Sequence, residues 1–140
     1  MRVLVDTSVW ADFFNDYPSP EQRALADLFT RDDEICTCGV VVAEVFQGLR
    51  KEKGRSELSD LFRDLTYLET TGIELYFRAA DLYRALRQRG KTIRSTIDCV
   101  IAVLAEEHGC AVLARDGDME MILGSGLLTV GGWPIEGLSS

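Results

Sequence analysis

The sequence has 140 residues, of which 46% are hydrophobic and 27% charged, and its formal net charge is −8 at pH 7. This length predicts a single domain with a full hydrophobic core, and 3 Pro and 12 Gly are too few for a disordered or collagen-like chain. No apolar run approaches the ~20 residues that a membrane span requires, and Asp6 interrupts the first apolar run too early for a signal peptide. We therefore expect a cytoplasmic protein without a membrane partner.

The charge is unevenly distributed along the chain. An acidic protein is a poor general match for nucleic acid, because phosphate contacts need a positive surface. No acid occurs between Asp81 and Asp98, however, and this stretch carries five cations: Arg84, Arg87, Arg89, Lys91 and Arg94. Each of them alone is typical of a solvated helix face. Together they keep nucleic acid open as a partner.

The first half of the chain alternates strand and helix patterns. In order, it predicts a strand at 2–5, helices at 8–14 and 20–30, a strand at 34–37 and a helix at 40–49. Thr7 or Ser8 is expected to cap the first helix, and Ser19 followed by Pro20 is a typical start for the second.

The second half continues the alternation. It predicts a helix at 58–65, a strand at 68–71, helices at 75–90 and 95–108, a strand at 111–114, a helix at 119–123 and a last strand at 127–130. Strands that alternate with helices predict right-handed crossovers and a parallel sheet flanked by helices. We expect an α/β domain over residues 1–130 and an irregular tail over 131–140.

Residues that commonly bind zinc or act as bases are few. The spacing of Cys36, Cys38, Cys99 and Cys110 fits neither a zinc site nor a C-x-x-C redox pair. We expect free thiols, mostly packed in the core. The single histidine, His108, lies on the apolar face of its predicted helix and is expected to pack there rather than act as a base.

Two acids follow strands of the predicted sheet. In parallel sheets, ligands bind beyond the carboxyl ends of the strands. Asp6 comes directly after the first strand, and Asp116 lies two residues beyond Ala114. Ser8 places a hydroxyl near Asp6. Asp6 is thus a candidate ligand or catalytic acid, and the alternative is that it only caps the following helix.

Glu44 is unusual for its surroundings. It is the only charged residue from Gly39 to Leu49, so its helix is apolar on nearly every side. We expect its carboxylate to be buried or nearly so, which requires a cation, a metal ion or a proton to offset the lost solvation. The alternative is a salt bridge to an arginine such as Arg94.

Asp98 completes a set of four dispersed acids. The run from Ser95 to Asp98 fits a capping box, in which Asp98 reaches back to the helix start. Its position also borders the apolar stripe of that helix, so it points along the rim of the buried face. Four carboxylates at one sheet edge would repel each other unless a divalent cation binds them. Oxygen ligands favour Mg²⁺, with Mn²⁺ as a substitute.

Four motifs carry a family resemblance. They are V-D-T-S-V-W at 5–10, V-V-A-E-V at 41–45, R-S-T-I-D-C at 94–99 and A-R-D-G-D at 114–118. In this order and at these intervals they resemble the motifs of the PIN-domain nucleases, and within that group the VapC-type toxins of toxin–antitoxin pairs. The resemblance spans residues 3 to about 130.

The resemblance implies a Mg²⁺-dependent endoribonuclease that cuts tRNA or rRNA and so inhibits translation. Its acidic quartet would be Asp6, Glu44, Asp98 and Asp116, with Asp118 as an additional metal ligand and Ser8 and Ser95 in support. It further implies a five-stranded parallel sheet of order 3-2-1-4-5, a homodimer, and a VapB-type antitoxin that binds it in a heterotetramer or larger complex. The basic residues between 84 and 94 would contact RNA or the antitoxin. A non-catalytic module that blocks translation by binding RNA stays open as an alternative.

Overall fold

A parallel sheet flanked by helices forms the part of the chain that the computed structural model describes, residues 1–49, 54–70 and 72–135. Its strands are β1 (Arg2–Val5), β2 (Glu34–Cys38), β3 (Thr66–Leu68) and β4 (Ala111–Leu113). The helices are α1 (Thr7–Phe14), α2 (Pro20–Leu28), α3 (Gly39–Gln47), α4 (Arg55–Asp64), α5 (Ile73–Gln88), α6 (Thr96–Glu107) and α7 (Gly117–Leu123). The strand order is β3-β2-β1-β4, and every pairing is parallel. The predicted α/β class is confirmed.

The prediction of a five-stranded sheet is wrong for the described residues. The apolar run at 127–130 forms no strand, because side chains occupy its backbone donors. The Thr129 amide donates to Glu106 Oε2 at 2.7 Å, and the Leu127 amide donates to Ser125 Oγ at 3.2 Å. The chain reaches β4 only later, through one parallel bridge between Val112 and Gly132.

The predicted capping residues are confirmed for two helices and differ for a third. Ser19 caps α2 by accepting from the Gln22 amide at 3.0 Å, and Ser95 caps α6 by accepting from the Ile97 amide at 3.2 Å. The residue that caps α1 is Asp6, which confirms the alternative interpretation of that acid, and the prediction of Thr7 or Ser8 as the cap is wrong. The wrong prediction arose because Asp6 follows β1 without any intervening residue, so it ends the strand and begins the helix.

One strand and one side chain lie at other positions than predicted. β3 begins at Thr66, two residues before the predicted strand at 68–71, of which residue 71 lies outside the described residues. His108 is only partly buried. It ends α6, and its Nε2 lies 3.1 Å from the Glu69 carbonyl oxygen, so it joins two loops instead of packing in the core. Of the expected irregular tail, residues 136–140 also lie outside the described range.

The core forms between β1 and the helices around it. Residues 3–5 are fully buried, and Trp10 of α1 packs its ring 4.7 Å from that of Phe62, centroid to centroid. All four cysteines are buried and free, as expected. Burial raises the pKa of Cys99 to about 11, so its thiol stays protonated. Within the described ranges, no helix is both long and apolar enough to cross a membrane.

Candidate active site

Asp6 is fixed at the junction of β1, β4 and α1. Its amide donates to the Leu113 carbonyl at 2.9 Å, which ties the end of β1 to the end of β4. Its carboxylate accepts from the Ser8 amide at 3.2 Å and from Ser8 Oγ at 2.7 Å. The residue is only 5% exposed. Asp6 therefore caps α1 and also lies at the carboxyl edge of the sheet. Its role as a helix cap and its candidate role as a ligand or catalytic acid do not exclude each other.

Glu44 of α3 is turned toward the same junction. Thr7 Oγ1 donates to Glu44 Oε1 at 2.9 Å, so the residue after Asp6 holds this second acid. Glu44 is partly exposed, which is less burial than the apolar helix predicted. The alternative of a salt bridge to Arg94 is wrong, because Arg94 pairs with Asp116 and Asp118 instead.

Asp98 and Asp116 approach from the starts of α6 and α7. Asp116 caps α7 by accepting from the Asp118 amide at 3.3 Å. Burial, together with repulsion from Asp116 and a hydrogen bond that the two carboxyls can share, raises the pKa of Asp98 to about 7. Asp98 therefore faces Asp116 from its place in the first turn of α6.

The negative charges of these acids are close enough to repel one another. Burial is the main cause that raises the pKa of Asp6; the hydrogen bonds from Ser8 oppose it, and the charges of Asp116 and Glu44 add to it. Asp98 is likewise repelled by Asp116 and Asp6. The structure thus brings all four predicted acids into one electrostatic cluster, which we call the acid cluster (Asp6, Glu44, Asp98 and Asp116).

Asp118 is engaged by Arg94. Its Oδ2 accepts from the Arg94 amide at 3.0 Å and from Arg94 Nε at 3.1 Å, and these bonds hold the pKa of Asp118 below its usual range. The other end of the Arg94 guanidinium lies 3.4 Å from Asp116 Oδ1. A cation of the protein itself therefore lies at the edge of the acid cluster.

The donor atoms of the acid cluster match the preference of a divalent cation. The cluster offers only carboxylate and hydroxyl oxygens, which Mg²⁺ and Mn²⁺ prefer. The raised pKa values of Asp6 and Asp98 show that the folded protein disfavours their charge, and a bound cation would relieve this. As the side chains stand, no group of three or more His, Cys, Asp or Glu among the described residues is arranged to hold a metal ion.

The predicted basic residues lie on one segment that leads to the cluster. They are all exposed, on the last turns of α5 and in the loop before α6: Arg84, Arg87, Arg89, Lys91 and Arg94. Arg89 donates to the Ser125 carbonyl at 2.9 Å. Arg94 is the member of this set that reaches the acids.

Three polar residues around the site were not predicted from the sequence. Thr7 holds Glu44, and Asp12 is a buried acid that pairs with Arg115, the residue before Asp116. A signal for Asp12 was present, because it is the only charged residue of α1, whose sequence is TSVWADFF. Nothing local in the sequence indicates its partner, which lies 103 positions further along the chain.

Comparisons with known proteins agree with this architecture. The family model of the PIN domain matches residues 3–122. Ribonuclease VapC11 of Mycobacterium tuberculosis (strain ATCC 25618 / H37Rv) is 31% identical over 121 residues, which cover 86% of this chain and 90% of the relative. VapC ribonuclease Mb1587 of Mycobacterium bovis matches with the same identity, 31%, and the same coverage. Among solved structures, the crystal structure of VapBC2 from Rickettsia felis bound to a DNA fragment from their promoter is similar, with a TM-score of 0.70, 20% identity and coverage of 96% of this chain and 100% of that chain.

The R. felis structure shows the fold, and the sequence matches show the family. The chain belongs to the PIN domain family, and its relatives at 31% identity place it among the VapC ribonucleases of that family. The resemblance expected from the four motifs is confirmed.

Proposed function

We propose that this protein is a Mg²⁺-dependent endoribonuclease that acts as the toxin of a toxin–antitoxin pair. The observation that carries the proposal is the convergence of Asp6, Glu44, Asp98 and Asp116 at the carboxyl edge of the sheet. In a member of the VapC ribonucleases, these carboxylates offer the oxygen ligands that a divalent cation would take next to a phosphodiester.

Each acid has its own supporting contact. Ser8 orients Asp6, and Thr7 orients Glu44. Asp98 and Asp116, which repel each other in the metal-free protein, would both bind the cation. A divalent cation held by these four acids would neutralise them and stabilise the charge that develops on the phosphate during hydrolysis.

For Asp118, the predicted additional ligand, we propose a different role in the structure described here. Its Oδ2 accepts two hydrogen bonds from Arg94. Asp118 would therefore anchor the loop before α6 and hold the Arg94 guanidinium beside Asp116, where RNA phosphate would approach the site.

RNA binding would rely on the basic segment rather than on net charge. The exposed cations lie at the end of α5 and in the following loop, which is the segment that precedes Asp98 in the chain. They would steer a polyanion toward a cluster that repels it in the absence of metal. This arrangement reconciles a net charge of −8 with an RNA substrate.

The proposal includes four further predictions, which concern the substrate, the partner, the assembly and the location of this chain. The substrate would be tRNA or rRNA, and the partner would be a VapB-type antitoxin, as the complex of the R. felis relative suggests by its description as VapBC2. The chain would form a homodimer, and with antitoxin a heterotetramer or larger complex, in the cytoplasm.

Cleavage by purified protein tests the proposal. Wild type, Asp98→Asn and Asp81→Asn would be incubated with total RNA in Mg²⁺ or in EDTA, and new 5′ ends would be sequenced. Asp81 is exposed on α5 and serves as a matched control. We expect cuts by wild type and Asp81→Asn in Mg²⁺, none in EDTA, and a loss of on the order of 100-fold for Asp98→Asn. Wild type that binds RNA and cuts none of it would refute the enzyme and favour the binding module.

A further inference from the structure

An ion pair between buried Asp12 and partly exposed Arg115 lies next to the acid cluster. Asp12 of α1 is 5% exposed, and both of its oxygens accept from the Arg115 guanidinium, Oδ1 from the terminal nitrogen at 2.7 Å. Ser19 Oγ donates to the same carboxylate at 2.8 Å. The Arg115 guanidinium also lies 4.7 Å from the centre of the Tyr17 ring. Arg115 is thus held on two sides, by a two-pronged ion pair and by an aromatic ring.

The backbone of Arg115 contacts the site directly. Its amide donates to Ser8 Oγ at 3.0 Å, and Ser8 Oγ in turn donates to Asp6 Oδ2 at 2.7 Å. The next residue is Asp116. The segment that Asp12 holds therefore carries one acid of the cluster and fixes the hydroxyl that orients another.

The direction of the two hydrogen bonds at Ser8 links the position of Arg115, and therefore its partner Asp12, to the orientation of Asp6. A serine hydroxyl has one proton and two lone pairs. Because the Arg115 amide donates to the Ser8 oxygen, the single proton of Ser8 is left to point at Asp6. If residue 115 shifted, that constraint on the hydroxyl would be lost together with the placement of Asp116.

We propose that Asp12 is a positioning residue of the acid cluster, acting through Arg115 on Ser8, Asp6 and Asp116. This inference rests on the proposed metal-dependent function. It predicts that loss of the Asp12 charge lowers metal affinity and turnover, while RNA binding through the exposed basic segment is unchanged. Mutating a residue that orients metal ligands without binding the metal itself typically lowers metal affinity or activity by about 10–100-fold.

The test compares Asp12→Asn with Asp33→Asn in the full chain. Asp33 also pairs with an arginine, Arg31, at 2.9 Å, and its side chain is 13% exposed. It precedes β2, at the opposite edge of the sheet from the acids. It is therefore a control for the loss of a partly buried Asp–Arg pair as such.

The measurements are Mn²⁺ affinity, from the electron paramagnetic resonance signal of free Mn²⁺, and steady-state RNA cleavage. For Asp12→Asn we expect affinity and kcat to fall about tenfold and KM for RNA to stay within about twofold. For Asp33→Asn we expect both quantities to stay at the wild-type level. Arg115→Lys keeps the charge and loses the two-pronged geometry, so it should fold and show an intermediate loss; this keeps the test decisive where Asp12→Asn is poorly folded.

A double variant separates the path through Ser8 from a general loss of stability. Ser8→Ala and Asp12→Asn act in part on the same hydrogen bonds, so the double variant should lose clearly less than the product of the two separate losses. Losses that multiply would overturn the inference, as would wild-type Mn²⁺ affinity in both Asp12→Asn and Arg115→Lys. Wild type that neither binds Mn²⁺ nor cuts RNA would refute the proposed function, and the inference with it.

Discussion

Replacing Asp98 by asparagine should stabilise the metal-free protein at neutral pH. Asparagine resembles a protonated aspartate, since its amide can donate a hydrogen bond to Asp116 without bringing a charge. In wild type, burial and the charge of Asp116 raise the pKa of Asp98 from 3.8 to about 7. The folded protein therefore holds this proton over a pH range in which the unfolded chain has lost it.

The sign and the size of the effect follow from that difference. Because the folded state binds more protons between about pH 4 and 7, stability falls as the pH rises through this window and levels off above it. The full difference corresponds to at most roughly 4 kcal/mol, and we halve it to about 2 kcal/mol because Asp98 shares its titration with Asp116 and is partly solvated. The loss of a favourable charge in the first turn of α6 subtracts about 0.5 kcal/mol. The net gain is about 1.5 kcal/mol, or about 5 °C in Tm.

Thermal unfolding in EDTA between pH 4.5 and 8 measures this gain. We expect wild type to lose stability over the range, Asp98→Asn to lose less, and the two curves to separate progressively toward pH 7.5. Asp6, whose pKa is also raised, contributes in the same direction, whereas the lowered pKa values of Asp12 and Asp118 act only below about pH 4. An Asp98→Asn protein no more stable than wild type at pH 7.5 would refute the reasoning, and Asp81→Asn should follow wild type throughout.

Three other variants probe the cluster and the core. Glu44→Gln keeps an acceptor for Thr7 and removes one repelling charge, so metal-free Tm should rise by about 2 °C and the stabilisation by millimolar Mg²⁺ should shrink, as calorimetry would show. A metal-free Glu44→Gln with a lower Tm would contradict this. Asp118→Asn weakens two bonds from Arg94 and should cost about 1–2 kcal/mol in urea unfolding; an unchanged urea midpoint would count against the anchor. Trp10→Ala removes a fully buried ring and should cost about 3–5 kcal/mol, a large part of the stability of a small domain. A loss below about 1 kcal/mol would show that the core repacks around the gap.

The positions of the acids could be predicted from the sequence, and their partners could not. Apolar runs fix where strands end, and the carboxyl ends of parallel strands meet at one edge, so Asp6 and Asp116 were placed by pattern alone. Which cation faces which acid depends on loops that meet only in the fold. Arg94 was an open partner for Glu44, yet it pairs with Asp116 and Asp118, 22 and 24 positions away.

The fifth strand shows the same limit in the backbone. Residues 127–130 have the apolar character of a strand, but strand formation also needs free donors opposite β4. Glu106 and Ser125 take two of those donors, through contacts that hydrophobic patterning does not contain. Local patterns thus predicted the element types well and failed where a side chain competed with the sheet.

Helix α1 serves the acid cluster and the core at once. Asp6, Thr7 and Ser8 lie at its start, while Trp10 on its inner side is fully buried among the rings of Phe14 and Phe62. Opening this helix would therefore expose the centre of the core, so its amides should exchange with solvent only as slowly as the whole domain unfolds. Local fraying of α1 therefore cannot remove Asp6 from the acid cluster, and this acid keeps its place for as long as the domain stays folded.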